Sequence, residues 1–135
     1  LLAEDTFLNM EIATELLKMR GAEVVPAEDG RKALEAFQNS PHFFFDAILM
    51  DMQMPEMDGC ESTRAIRALD RPDAKTTPII AMTANAFAED ITRTTQAGMD
   101  AHLAKPINIE QLCAALTKLM SQRAGAQDEL PTEGE

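Results

Sequence analysis

Two kinds of apolar pattern alternate along this chain. The first is a short run with almost no polar break, as in Phe43-Phe44-Phe45-Asp46-Ala47-Ile48-Leu49-Met50, which ends at Asp51. Pro78-Ile79-Ile80-Ala81-Met82 is a second such run, and Ala22–Val25, Ala101–Ala104 and Leu1–Ala3 are shorter ones. Continuous rather than alternating hydrophobicity predicts strands buried on both faces. The second pattern has helical spacing. Leu8, Ile12, Leu16 and Met19 fall on one face, with Gly21 as a stop signal. Ala33, Leu34 and Phe37 predict a helix over 31–39, and Ser62, Ile66 and Leu69 predict another after Gly59. A helix over Ala86–Ala97 is closed by Gly98, and one over Ile109–Ser121 carries Leu112, Leu116 and Leu119 on one face. Five strands alternating with five helices predict an α/β fold, a parallel sheet covered on both sides.

Composition narrows the class without changing that picture. At 135 residues, 45% hydrophobic and 26% charged, the chain has the make-up of one globular domain with a proper core. No apolar run approaches the roughly 20 residues that span a bilayer, so no direct membrane contact is expected. Leu1-Leu2-Ala3 lacks the basic and long apolar regions of a signal peptide. It reads instead as the end of a strand clipped from a longer protein. Cys60 and Cys113 lie far apart at no recognisable spacing, which favours buried thiols in a cytoplasmic protein over a disulfide. The formal net charge is −11, of which the acids Asp128, Glu129, Glu133 and Glu135 leave −7 on residues 1–123. Such a charge repels phosphate backbones and argues against direct nucleic-acid binding. Residues 123–135, polar, acidic and interrupted by Gly and Pro, are expected to form a disordered tail or linker after a domain of residues 1–122.

In open parallel sheets, functional groups gather at the carboxyl edge of the strands. That rule collects Glu4 and Asp5 after the first strand, Asp51 at the end of the third, Thr83 at the end of the fourth and Lys105 at the end of the fifth. Three carboxylates in a small space repel one another unless one is protonated or a cation enters. A hard divalent ion with oxygen ligands suits them. Mg²⁺ prefers one or two carboxylates together with waters and a phosphoryl oxygen. With its charge offset, an Asp carboxylate can attack a phosphoryl group and become an acyl phosphate. Lys105 and the Thr83 hydroxyl would then serve the charge on the phosphoryl oxygens.

Four separated segments in order, Glu4-Asp5, Leu49 to Gly59 with its Asp51-Met52-Gln53-Met54-Pro55 core, Met82-Thr83-Ala84 and Lys105-Pro106, resemble the receiver domain of two-component response regulators over roughly residues 1–122. The resemblance implies a doubly wound, flavodoxin-like fold with strand order 2-1-3-4-5 and five flanking helices. It implies Asp51 as phosphoacceptor and Asp5 as a direct metal ligand. Glu4 would act on the metal through water, and the Gln53 backbone carbonyl would be a further ligand. Mg²⁺ is the implied ion, with Mn²⁺ able to substitute. Thr83 becomes the switch hydroxyl and Lys105 the site cation, aimed inward by a cis Lys105-Pro106 peptide. The implied partner is a histidine kinase or a histidine phosphotransfer domain. The Met-Asp-Met-Gln-Met-Pro wording is most similar to receivers of hybrid histidine kinases, in which the kinase core is covalently linked and cytoplasmic. The isolated domain would phosphorylate and dephosphorylate itself rather than turn over a substrate. One departure stands out: the switch position three residues before the lysine, usually Tyr or Phe, is His102.

Other readings of the same residues are weaker. A phosphohydrolase with an Asp nucleophile needs an acid two residues on to protonate the leaving group, and that position is Gln53. A binding module without phosphotransfer would not need Asp5, Asp51, Thr83 and Lys105 together. The stretch from Asp51 to Asp58 fails as a calcium loop, since Pro55 and Met57 stand where ligands belong and position 62 is Ser. Met52, Met54 and Met57 instead offer an apolar docking patch on that loop.

Overall fold

The computed structural model describes residues 1–52, 54, 56–83, 88–105 and 108–133, with side chains omitted for 88–90 and 122–133. Ten elements alternate: β1 (Leu2–Ala3), α1 (Phe7–Met19), β2 (Pro26–Ala27), α2 (Gly30–Gln38), β3 (Ile48–Asp51), α3 (Gly59–Arg67), β4 (Ile79–Thr83), α4 (Ala88–Ala97), β5 (Ala101–Ala104) and α5 (Ile109–Glu133). The strands form one parallel sheet in the order β2-β1-β3-β4-β5. The expected α/β architecture and strand order are both present.

Period-two geometry sorts each strand between two apolar layers. Ile48, Met50, Ile79 and Ala81 meet Ala33 and Phe37 of α2, Cys60 and Ile66 of α3, and Ala97 of α4. Leu49, Ile80 and Met82 turn the other way, towards Ala13 and Leu17 of α1 and Leu112 of α5. Both faces are thus covered, which is why the strand sequences are continuously apolar.

Three boundaries and the buried face of one helix differ from the sequence pattern. The apolar run before Asp51 becomes a strand only from Ile48, because Phe43 takes a left-handed conformation (φ 61°) in a turn where Phe44 N–H donates to the Pro41 carbonyl. Phe45 is still buried, so the run is core without being strand. The second strand is Pro26–Ala27 rather than Ala22–Val25, set by the register of Leu2 with Pro26 and Ala3 with Ala27. On α1 the buried positions are Ala13 and Leu17, whereas Leu8, Ile12 and Met19 are 62%, 51% and 80% exposed. The last helix runs on past Ser121 to Glu133, through residues that are mostly good helix formers.

Two N-caps brace the carboxyl edge. Asp29 accepts from Lys32 N–H at 2.8 Å to start α2. Asp58 accepts from Glu61 N–H at 2.8 Å while Glu61 accepts from Asp58 N–H at 3.3 Å, a capping box that starts α3. Gly59 admits this arrangement, since a Cβ there would lie 2.3 Å from the Asp51 carbonyl oxygen. The glycine after Asp58 lets the turn fold tightly against the end of β3.

Candidate functional site

β1, β3 and β4 each deliver a side chain to the carboxyl edge. Glu4 directly follows β1 and is 4% exposed, with its backbone N–H donating to Ala27 at 3.0 Å. Asp51 is the last residue of β3 and is 3% exposed. Asp5 is exposed beside them. One carboxylate oxygen from each of Glu4, Asp5 and Asp51 lies within 4.8 Å of the others. The loop after β3 is pinned by Met52 N–H to the Met82 carbonyl (3.0 Å) and by Gly59 N–H to the Met52 carbonyl (3.1 Å).

Lys105 joins the cluster from the end of β5. Its Nζ lies 2.9 Å from Asp51 Oδ2 and 3.2 Å from Glu4 Oε2, and its backbone N–H donates to the Thr83 carbonyl at 2.8 Å. The other Glu4 oxygen accepts from Thr6 N–H at 3.2 Å. Thr83 is buried at the end of β4, between the strands that carry Asp51 and Lys105. Five residues that the sequence places at one edge are therefore together: Glu4, Asp5, Asp51, Thr83 and Lys105. Gln53 and Pro106 lie outside the described residues. His102 sits on β5, hydrogen-bonded through Nε2 to Thr94 of α4.

The electrostatics follow from this packing. Burial, then the nearby Glu4 carboxylate, pushes Asp51 above the ordinary carboxylate range despite its bond to Lys105. Burial opposes the charge on Lys105, but the bond to Asp51 and the charges of Asp51 and Glu4 outweigh it and raise its pKa. Two buried acids compete for one ammonium. Among the described residues of the site, three carboxylates against that single cation leave two formal negative charges, which a divalent ion would offset. The all-oxygen donor set, with Asp5 open to solvent, fits a hard ion that keeps part of its water shell.

Sequence reasoning missed two features of this site. Lys105 bonds Glu4 as well as Asp51, a sharing that spacing alone does not reveal. Gly59 is needed against the Asp51 backbone, although the Asp58-Gly59 pair was a visible signal for a tight turn.

Comparison with known proteins decides the family. The response regulator receiver domain family matches residues 1–117. The chain belongs to that family. Sensor protein GacS of Pseudomonas syringae pv. syringae is 41% identical over 119 residues, covering 87% of this chain and 13% of that protein. Hybrid signal transduction histidine kinase I of Dictyostelium discoideum is 39% identical over 110 residues, covering 80% of this chain and 6% of that protein. The receiver therefore spans a small fraction of the curated relatives it matches. Among solved structures, the receiver domain of sensor histidine kinase PA1611 from Pseudomonas aeruginosa PAO1 superposes with a TM-score of 0.80 at 36% identity, over 89% of this chain and 94% of that one. That structure holds a magnesium ion in its active-site cleft. Chemotaxis protein CheY4 of Vibrio cholerae aligns with a TM-score of 0.79 at 31% identity, over 87% of this chain and 94% of that one. Among the described residues of this receiver, no helix is long and apolar enough to cross a membrane.

Proposed function

We propose that this receiver takes a phosphoryl group from a phosphohistidine onto Asp51 in a Mg²⁺-dependent reaction, and that it switches or relays the signal of a phosphorelay. The observation that carries this reading is the buried Asp51 carboxylate, held 2.9 Å from Lys105 Nζ within 4.8 Å of two further acids. Glu4, Asp5 and Asp51 would hold the ion, Asp5 and Asp51 directly and Glu4 through water, with the Gln53 carbonyl as a further ligand. Bound Mg²⁺ supplies charge neutralisation to the carboxylates and to a phosphoryl oxygen.

The remaining work belongs to the chain. An Asp51 oxygen forms the new O–P bond as the P–N bond of the donor breaks, and the bonding pair stays on the imidazole nitrogen. Lys105, already directed at Asp51, donates to a phosphoryl oxygen in place of the carboxylate oxygen it now holds. The Thr83 hydroxyl, at the adjacent strand end, donates to another. Water attack on the acyl phosphate returns the carboxylate, so the domain modifies and restores itself. The donor is a histidine kinase core, covalently linked in a hybrid kinase, or a histidine phosphotransfer domain, and the setting is cytoplasmic. The acidic residues 123–135, beyond the stretch that the family covers, serve as a tail or linker in this reading, helical as far as Glu133 rather than disordered.

Labelling from a phosphohistidine donor carrying ³²P tests the assignment. Asp51→Asn should abolish acid-stable, alkali-labile label, and chelation of divalent ions should reduce it in the unaltered chain. Label that persists in Asp51→Asn overturns the Asp51 assignment.

A further inference from the structure

The loop between β3 and α3 carries Gln53, and a neighbouring helix helps to hold it. The base of the loop is closed at Met52, whose N–H donates to Met82 at 3.0 Å and whose carbonyl accepts from Gly59 at 3.1 Å. Its far side is held by α2. Gly30, the first residue of that helix, donates its backbone N–H to the Met57 carbonyl at 3.1 Å. A helix start has no internal partner for that donor, and here the loop supplies one. Ser62 of α3, which is fully buried, completes the tie, its hydroxyl donating to the Gly30 carbonyl at 2.8 Å.

Three features show how tightly these parts are matched. Glycine is a poor helix former, yet any other residue at position 30 would bring a Cβ within 2.1 Å of the Met57 carbonyl oxygen. Such a contact is not sustained, so loop and helix would have to separate by about 1 Å. Glu56, immediately before Met57, has a left-handed backbone (φ 66°). A non-glycine residue keeps that conformation only where its surroundings impose it. Ser62 shares the buried face of α3 with Cys60, Thr63 and Ile66. An alanine there would suit the helix better but would leave Gly30 untied.

Resting on the Mg²⁺ site read above, we propose that Gly30 and Ser62 are positioning residues for the metal: they seat α2 against Met57 and so fix the loop from which Gln53 supplies its carbonyl. Neither touches the ion. Mg²⁺ takes its oxygen ligands at about 2.0–2.1 Å in near-ideal octahedral geometry. A loop displaced by about 1 Å cannot meet that demand, so the fit of α2 against the loop sets how firmly the ion is held.

Mg²⁺ titrations of the isotope-labelled 135-residue chain, followed by NMR, give the dissociation constant. Ser62→Ala should raise it about two- to twelvefold, the equivalent of one net hydrogen bond. Gly30→Ala, which displaces the loop itself, should raise it about ten- to hundredfold, as the loss of a group supporting a metal ligand does. Leu17→Ala lies in the layer on the other face of the sheet. It should lower the urea midpoint and leave the constant unchanged, which separates positioning from plain stability. Should Gly30→Ala fail to fold, Ser62→Ala decides. An unchanged constant in either folded variant, or an equal rise in Leu17→Ala, overturns the proposal. Failure of the underlying site looks different: Mg²⁺ then leaves the Gln53 carbonyl ¹³C resonance of the unaltered chain in place, or binds Asp51→Asn equally well.

Discussion

Asp73 shows how much one buried residue away from the phosphoacceptor edge contributes to holding the receiver together. Arg71 grips its carboxylate in two places, at 2.6 and 2.9 Å, and the Phe43 N–H adds a third bond at 2.7 Å. The same guanidinium reaches the carbonyls of Phe37 (2.6 Å) and Pro41 (2.9 Å) and lies over the Phe37 ring, so the loop before β4 is tied to the loop before β3. Burial alone would raise the Asp73 carboxyl, but the Arg71 bonds and the Phe43 N–H win and hold it below the ordinary range. A depressed folded-state pKa supplies stability that is present above the unfolded value and lost as pH falls through the folded one. Asp73→Asn should therefore cost about 1–3 kcal/mol in urea unfolding at pH 7, and that gap should close as pH falls from neutral through and below the ordinary carboxylate range. A gap that is constant across this range would refute the pairing. None of this was legible in the sequence, because most of the partners are backbone groups 30 to 34 residues away. The edge residues Glu4, Asp5, Asp51, Thr83 and Lys105 were legible, because strand ends locate side chains without knowledge of any contact.

At the level of elements, period was easier to read than orientation. The spacing of Leu8, Ile12, Leu16 and Met19 correctly announces a helix, yet α1 turns Ala13 and Leu17 to the sheet. Which stripe is buried depends on how closely the helix approaches the sheet, and a small Ala allows an approach that a row of larger side chains would block. Leu17→Ala should accordingly cost about 2–5 kcal/mol in thermal or urea unfolding. Leu8→Asp should stay within about 0.5 kcal/mol of the parent. The reverse order would show that the exposed stripe is the packed one. Strand limits were misread for a related reason. Phe43-Phe44-Phe45 has the composition of a strand, but Asp73 claims the Phe43 N–H and the turn at Pro41 sets the local backbone. Tertiary hydrogen bonds override local propensity there.

For the molecule as a whole, a parallel sheet covered on both sides was legible because continuously apolar strands separated by helices call for one, whereas the doubly wound strand order came from the resemblance to receivers. The same topology brings three acids to one edge, and that convergence opposes folding. Asp51 has its pKa raised by burial and by Glu4, so its folded state favours the proton. The relevant stability is full below the unfolded pKa and is lost as pH rises through the raised folded value. At neutral pH without divalent ions, Asp51→Asn should be more stable than the parent by on the order of 1 kcal/mol. Mg²⁺ at a hundred times its dissociation constant should stabilise the parent by about 2.7 kcal/mol, and Asp51→Asn by clearly less at the same concentration. Thermal melts with and without the ion check both statements, and equal Mg²⁺ shifts in the two proteins would refute the shared site.

The sharing of Lys105 between Glu4 and Asp51 also bears on how variants of this domain are compared in cells. A protein that can no longer be phosphorylated, yet folds more firmly, escapes proteolysis longer and accumulates, and a difference of about 1 kcal/mol is enough to change abundance several-fold. An Asp51→Asn strain would then differ from its parent in signalling capacity and in dose at once, in opposite directions. Equalising the amount of protein is what separates the chemistry of Asp51 from its weight on the fold.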